Sequence, residues 1–465
     1  MQLIWTLSLF FNLLRKVSLL MKRNILIKYQ ICILIFFIMI INLNAEETQP
    51  SEQLDPIQVL TGIKNELERV LKENIITFWY PQTIDKENGG YNLNHDIKGK
   101  WLGPSDKYIV TQARMVWFFS HLARSKYGTK EHLESAKHGY EFLRDKMWDK
   151  QYGGFYWAVD WTGSKATVPQ KHLYGQSFGL YALSEYAMAS GDIEALYLAK
   201  KLFSVIEFIA HDSIYGGYKE YFLRDWSLPK QDDTGPMGNS INIKLMNTHL
   251  HLLEAMTTYY QATKDPVARE RLIELIFIQS NSVVRKTIGA CTDKYQLDWK
   301  PIHSPEFDRV SYGHDLENVW LLISACEAVG INNRLLFDLY RTLFDYSLKY
   351  GYDSTYGGFY ESGPFSGKAD KRSKVWWVQA ECLVSALDMY CLTGDIVYFD
   401  CFNRTLNWIM KRQIDWINGD WYSEISESGE PSGEKAGAWK SAYHNGRAIM
   451  KCIEFMEELI SGKIR

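Results

Sequence analysis

Apolar residues recur at intervals of three and four in five long stretches of the chain. They are "TQARMVWFFSHLARS" from Thr111, "GQSFGLYALSEYAMAS" from Gly175, "NTHLHLLEAMTTYYQAT" from Asn247, "VQAECLVSALDMYCLTG" from Val378 and "HNGRAIMKCIEFMEEL" from His444. That period predicts amphipathic helices. Between them a short phrase returns: "ENGGYN" at Glu87, "QYGGFYW" at Gln151, "IYGGYKEY" at Ile214, "TYGGFYES" at Thr355 and, more weakly, "INGDWYSE" at Ile417. Each reads as a tight glycine turn leading into a short alternating aromatic strand.

Marked at Gly90, Gly154, Gly217, Gly358 and Asp420, the phrases are separated by 64, 63, 141 and 62 residues. The long interval holds one further unit without its glycines, placed near "CTDKYQLDW" at Cys291. Six units, each with one helix leaving and one returning, close most simply into an all-α (α/α)6 barrel. The expectation is one domain over residues 52–462, with a central funnel lined by the inner helices.

Composition narrows the partners. Net charge is −3 with 23% charged residues, which gives no reason to expect nucleic acid. Aromatics reach 14%, a surplus that suits packing and also suits stacking against the flat faces of sugars. From Met21 the chain runs "MKRNILIKYQ", an apolar "ICILIFFIMII" and then "NLNA" ending at Ala45. Residues 1–45 therefore read as a secretory signal peptide, with Met21 as an alternative start and an uncleaved membrane anchor as the alternative role. The expected location is outside the cytoplasm. The six cysteines beyond it contain no C-x-x-C pair and read as buried thiols.

Certain polar residues do not fit a plain core. In "SYGHDLENVW", His314, Glu317 and Trp320 are three apart and share a helical face. Asn247 and His251 share another. Arg114 interrupts an apolar helix, Tyr174 and Gln176 open one, Trp376, Trp377 and Glu381 open the next, and Trp439 precedes His444. Singly, each has an ordinary structural explanation. Together they fall near helix starts at comparable phase, so all can reach one end of the funnel. His251, His314, Glu317 and Glu381 are possible metal ligands, but no H-x-x-x-H or H-E-x-x-H pair is present, and no metal is expected.

Two histidines, an arginine and tryptophans suit proton transfer on a reducing sugar. With the ring open, the C2 proton is next to a carbonyl; one base removes it and an acid on the other face returns one. Imidazole serves in both roles near neutral pH, and arginine stabilises charge developing on oxygen. Neither redox cofactor nor metal is required.

In this order "NTHLHLLEA", "SYGHDLE", "KVWWVQAE" and "WKSAYHNGRA" resemble the N-acylglucosamine 2-epimerase family, and more closely its cellobiose and mannobiose 2-epimerase branch. The resemblance spans about residues 55–460 and implies an (α/α)6 barrel without cofactor, a monomer or weak dimer. It implies His314 and His444 as the acid/base pair, Arg114 and His251 as further catalytic groups, and Glu317, Glu381, Trp377 and Trp439 as sugar contacts. Tyr174, Asn247, Trp320 and Trp376 join that substrate-binding set. Three rivals remain at this point: a glycoside hydrolase drawing carboxylates from Glu254, Glu317, Glu381 and Asp315, a glycan-binding barrel, and an aldose–ketose isomerase.

Overall fold

The computed structural model describes residues 55–365 and 367–462; the N-terminal segment read as a signal peptide or anchor lies outside them. Twelve long helices alternate in role along the described chain. Six are inner: α2 (Ile109–Arg124), α4 (Leu173–Ser190), α6 (Met246–Thr263), α8 (Tyr312–Val329), α10 (Trp376–Thr393) and α12 (Tyr443–Ile460). Six are outer: α1 (Pro56–Arg69), α3 (Lys130–Phe142), α5 (Ile193–Val205), α7 (Pro266–Phe277), α9 (Phe337–Gly351) and α11 (Ile396–Trp408). Each inner helix packs on the next and α12 returns to α2, closing a ring. Each of α2 to α10 packs on the outer helix that follows it, whereas α12 pairs with α1, so the last helix of the chain completes its unit with the first. This is the (α/α)6 barrel expected from the period.

Burial explains the division. The outer helix α5 buries Ala195, Leu198, Ala199, Leu202 and Phe203, a single stripe. The inner helix α4 buries every residue from Leu173 to Ala187, because neighbours and its outer partner cover it on all sides. Links from inner to outer helices are minimal. Gly191 and Gly394 end their helices in the left-handed conformation, and the next residues, Asp192 and Asp395, cap the helices that follow.

The long links lie at the other end, where the inner helices begin. There the glycine phrases form a repeated joint. Asp85, Asp149, Asp212, Asp353 and Asp415 each stand five residues before the phrase's second glycine or its equivalent. One carboxylate oxygen accepts the backbone N–H groups two and three residues on. The other pairs with a buried lysine: Asp85–Lys107 at 2.7 Å, Asp149–Lys171 at 3.1 Å, Asp212–Lys244 at 2.7 Å, Asp353–Lys374 at 2.8 Å and Asp415–Lys435 at 3.1 Å. The first four lysines lie two residues before an inner helix, so each pair ties a turn to a helix start.

A second tie comes from the fourth residue of the inner helix. Gln112, Gln176 and Gln379 each accept from, and donate to, the backbone of the residue after the second glycine, at 2.7–2.9 Å. Glycine is required there for two reasons: Gly90 and Gly358 have φ of 69° and 83°, and an added Cβ would meet the glutamine oxygen at 2.6 and 2.7 Å.

The fourth unit departs from the pattern, and the structure locates it more closely than its sequence did. Its turn retains one glycine, Gly289 at φ 83°, followed by Ala290. Arg285 and Val310 stand where the other units have aspartate and lysine. The helix tie is Asp315, whose Oδ1 accepts from Cys291 N–H at 3.0 Å. A shorter anchor leaves room for the Ala290 side chain. Short antiparallel strands then link unit to unit around the mouth, as Arg309–Ser311 with Ser362–Pro364, and a bridge from His95 to Ala436 closes the crown.

Asp315 is fully buried, its second oxygen has no hydrogen-bond partner among the described residues, and burial pushes its carboxyl up to about 8. A protonated carboxyl stands in for the glutamine amide of the first, second and fifth units. In the unfolded chain the group loses its proton near pH 4, so its stabilisation is complete below about pH 4 and is lost as pH rises towards about 8. Asp315→Asn is therefore expected to gain about 1–3 kcal/mol relative to the parent between pH 5 and pH 8.5 in urea denaturation. Parallel stability curves would show that Asp315 is ionised in the fold.

Candidate functional site

The inner-helix starts bring the sequence-predicted residues to one end of the barrel. Arg114, His251, Glu317 and Glu381 each occupy the sixth position of an inner helix, and Tyr174, Asn247, Trp377 and His444 each occupy the second. Trp439 lies in the link before α12 and is 47% exposed, the most open member of the set.

At the centre is a residue that sequence reasoning did not single out. Arg447 stands one helical turn after His444 and is 1% exposed. Its Nη1 donates to Glu254 Oε1 and to the Tyr443 hydroxyl; its Nη2 donates to Glu317 Oε1 at 2.9 Å and Glu381 Oε1 at 2.8 Å. Three carboxylates from three inner helices thus meet one guanidinium. The available signal was the spacing from His444, which places Arg447 on the same face.

Two imidazoles are oriented by these carboxylates. His444 Nδ1 lies 2.6 Å from Glu381 Oε1, and His251 Nδ1 lies 3.1 Å from Glu254 Oε2. With Nδ1 engaged, Nε2 of each ring is the nitrogen left for chemistry. Trp320 is buried and its indole N–H donates to Glu381 Oε2 at 2.8 Å, so it braces that carboxylate from behind. His314 is half-buried, makes no hydrogen bond among the described residues, and lies against Trp377 with ring centroids 4.9 Å apart. His444 contacts the same indole at 5.8 Å and Trp376 at 6.3 Å.

Arg114 is buried, not a surface arginine. Its guanidinium lies over Phe178 and Tyr443, and it donates to the Trp439 carbonyl at 3.0 Å and the Tyr174 hydroxyl at 3.1 Å. Asn247 has a buried Oδ1 with no hydrogen-bond partner among the described residues, while its backbone N–H donates to Asp293 Oδ1 at 3.1 Å. His249 points elsewhere, accepting from Tyr218 N–H at 2.9 Å, which makes it the third unit's turn anchor.

The electrostatics are sharply divided. Burial lowers His444 well below the ordinary histidine value, helped by Arg114 and Arg447. Burial brings His251 down to about 4, against the pull of Glu254. Both rings are neutral at neutral pH. Burial also acts on Glu254, but Arg447, His251 and Tyr443 outweigh it and hold the carboxyl down at about 2. For Glu317 burial wins and, with Glu381 nearby, raises the group well above the carboxylate range.

Glu317, Glu381 and His444 place ligand atoms within 4.8 Å of one another, a spacing that suits a divalent cation. Arg447 Nη2 already donates to both of those carboxylates, so a guanidinium occupies the position between them. The same contacts weigh against a hydrolase pair flanking a glycosidic bond. Asp315, the remaining carboxyl of that rival, is engaged at the Cys291 turn.

The N-acylglucosamine 2-epimerase (GlcNAc 2-epimerase) family model matches residues 89–448. The chain belongs to that family. It is 34% identical over 402 residues to the cellobiose 2-epimerase of Ruminococcus albus, an alignment covering 84% of this chain and 98% of the relative. Against the cellobiose 2-epimerase of Bacteroides fragilis it is 30% identical over 400 residues, covering 85% and 99%. The solved structure of cellobiose 2-epimerase from Bacillus thermoamylovorans superposes with a TM-score of 0.78 at 32% identity, covering 86% of this chain and all of that one. A D-mannose isomerase structure, 23% identical with a TM-score of 0.74, shares the fold.

Removing Arg447 leaves three buried carboxylates without their shared cation. Arg447→Met is expected to cost about 3–5 kcal/mol of stability. In a double-mutant cycle with Glu254→Gln, the two changes are expected to couple by about 1–3 kcal/mol. Additive denaturation midpoints would mean that the guanidinium does not hold that carboxylate.

Proposed function

We propose that the protein is a carbohydrate 2-epimerase that interconverts the gluco and manno configurations at C2 of the reducing-end sugar of a β-1,4-linked disaccharide, of cellobiose or mannobiose type. The reading is supported by two imidazoles, His314 and His444, resting against one indole at the funnel mouth. Similarity to cellobiose 2-epimerases over nearly their whole length supports the disaccharide class.

In the open-chain sugar one imidazole takes the C2 proton, the electron pair moves into C1–C2, and the carbonyl oxygen becomes an enediolate oxygen. The other histidine, entering as imidazolium, gives its proton to C2 from the opposite face as the C1 carbonyl re-forms and ends neutral, so mass is conserved. His444 enters neutral, with Glu381 on Nδ1 ready to stabilise the imidazolium that forms. Arg114 supplies fixed positive charge for the enediolate oxygens. His251, oriented by Glu254, serves ring opening, and Trp377 and Trp439 offer faces for the sugar rings. The basic and apolar segment ending at Ala45 supports export, with the oligosaccharide met outside the cytoplasm.

Proton NMR with cellobiose or mannobiose in D₂O is expected to show the C2 epimer with deuterium at C2. His314→Ala and His444→Ala are each expected to slow it by about 10²–10⁴-fold. Because His444 titrates below the ordinary histidine value, the acid limb of kcat/KM is expected below pH 6.5. Released monosaccharide would assign the chain to the hydrolases, and a ketose product to the aldose–ketose isomerases.

A further inference from the structure

Outside the funnel, where the second unit's turn meets Arg224 just after the third unit's glycine phrase, lies a cleft of about 590 Å³. That is the size of a small-ligand site. Its charge is opposite to that of the chain, which is formally −3. Lys146, Lys150 and Lys165 all line it, all are exposed, and none of their ammonium groups makes an ion pair or hydrogen bond among the described residues.

The acidic residues of the cleft are already engaged. Asp149 is held by Lys171 at 3.1 Å and Arg224 at 2.9 Å, and Asp145 by Arg144 at 2.6 Å. Arg144 holds the Asp145 carboxyl below its ordinary value, with Lys150 and Lys146 adding to the effect across a longer distance.

Two features give this more shape than a scatter of surface lysines. First, Lys146 is packed: the loop over it carries Gly163 at φ 70°, and a Cβ there would meet Lys146 Cβ at 2.9 Å and Cγ at 3.0 Å. The stem is held while the ammonium remains free. Second, the same cleft is lined by Trp148 and Tyr156, and Arg224 fixes the Tyr156 hydroxyl at 3.1 Å. An aromatic wall in the same cleft as three lysines whose ammonium groups are unengaged among the described residues suits a ligand that has both an apolar sugar face and an oxyanion.

We propose that this cleft is a second saccharide-binding site, separate from the epimerisation funnel, that takes an acidic sugar bearing a carboxylate or phosphate group. Lys146, Lys150 and Lys165 receive the anion and the Trp148–Tyr156 wall receives the ring. The site stands independently of the reaction proposed for the funnel.

Isothermal titration of the full-length protein with glucuronate, glucose 6-phosphate, glucose and inorganic phosphate tests it. At least one acidic sugar is expected to bind saturably, more tightly than glucose or inorganic phosphate, and more weakly as salt is raised. Which of the two binds distinguishes a carboxylate from a phosphate source. Lys146→Ala, Lys150→Ala, Lys165→Ala together are expected to weaken that binding about tenfold or more while leaving epimerisation unchanged. His314→Ala with His444→Ala is expected to leave the acidic-sugar isotherm intact. The proposal is overturned if neither acidic sugar binds, if the triple variant binds as the parent does, or if inorganic phosphate binds as well as the sugar phosphate. Loss of binding in the histidine variant would return the ligand to the funnel.

Discussion

The Arg447 guanidinium is the contact on which the site depends. It is a full positive charge inside a barrel, and burial of that kind is tolerated only when its hydrogen bonds are met by opposite charge. Glu254, Glu317 and Glu381 meet it from α6, α8 and α10, while Arg447 itself comes from α12. Four of the six inner helices are thereby fixed relative to one another at a common depth. The two histidine–carboxylate pairs branch from this hub, so the orientation of His251 and His444 is set by the same charge that holds the helices.

A hub of this kind needs helix starts that do not drift, and the repeated joints supply that. Four of the five aspartate–lysine pairs connect a turn to the residues just before an inner helix, and in three units a glutamine anchor connects the same two segments again. Breaking one such buried pair costs about 3–5 kcal/mol, because the remaining ion is stranded. The fourth unit, which carries His314, has neither the ion pair nor the glutamine and relies on a neutral aspartic acid. His314, which has no hydrogen-bond partner among the described residues, thus lies at the start of the helix whose joint is built differently from the rest.

Much of this was legible in the sequence, for identifiable reasons. The barrel could be read because glycine turns are local signals and recur at a period, and because the inner helices keep a three–four apolar spacing even where they are buried all round. The shared end of the funnel could be read because the polar residues fall at matching phase. The role of Arg447 was not legible, since its meaning lies in carboxylates 66 to 193 residues away along the chain. The joints fall between these cases. Aspartate five residues before the second glycine, and lysine two residues before the helix, recur as regularly as the glycines do, but a lone surface-type residue draws notice only once its partner is known. The fourth unit hid because its glycine code is half lost, and it is half lost because Asp315 is shorter than glutamine.

The charge count at the hub carries one further step. One guanidinium cannot keep three adjacent buried carboxylates ionised, so they compete for it. Glu254 has the strongest claim, since it also accepts from the Tyr443 hydroxyl and lies against His251. Glu381 accepts from Trp320 and contacts His444. Glu317 has Arg447 on one oxygen and, among the described residues, no hydrogen-bond partner on the other, which is buried. The proton therefore settles on Glu317, consistent with its being raised well above the carboxylate range. The result is one wall of the funnel with an ionised carboxylate, a carboxylate shared with a histidine and a neutral carboxyl that can donate, three different hydrogen-bonding characters drawn from three identical side chains by the other partners each one has around a single charge.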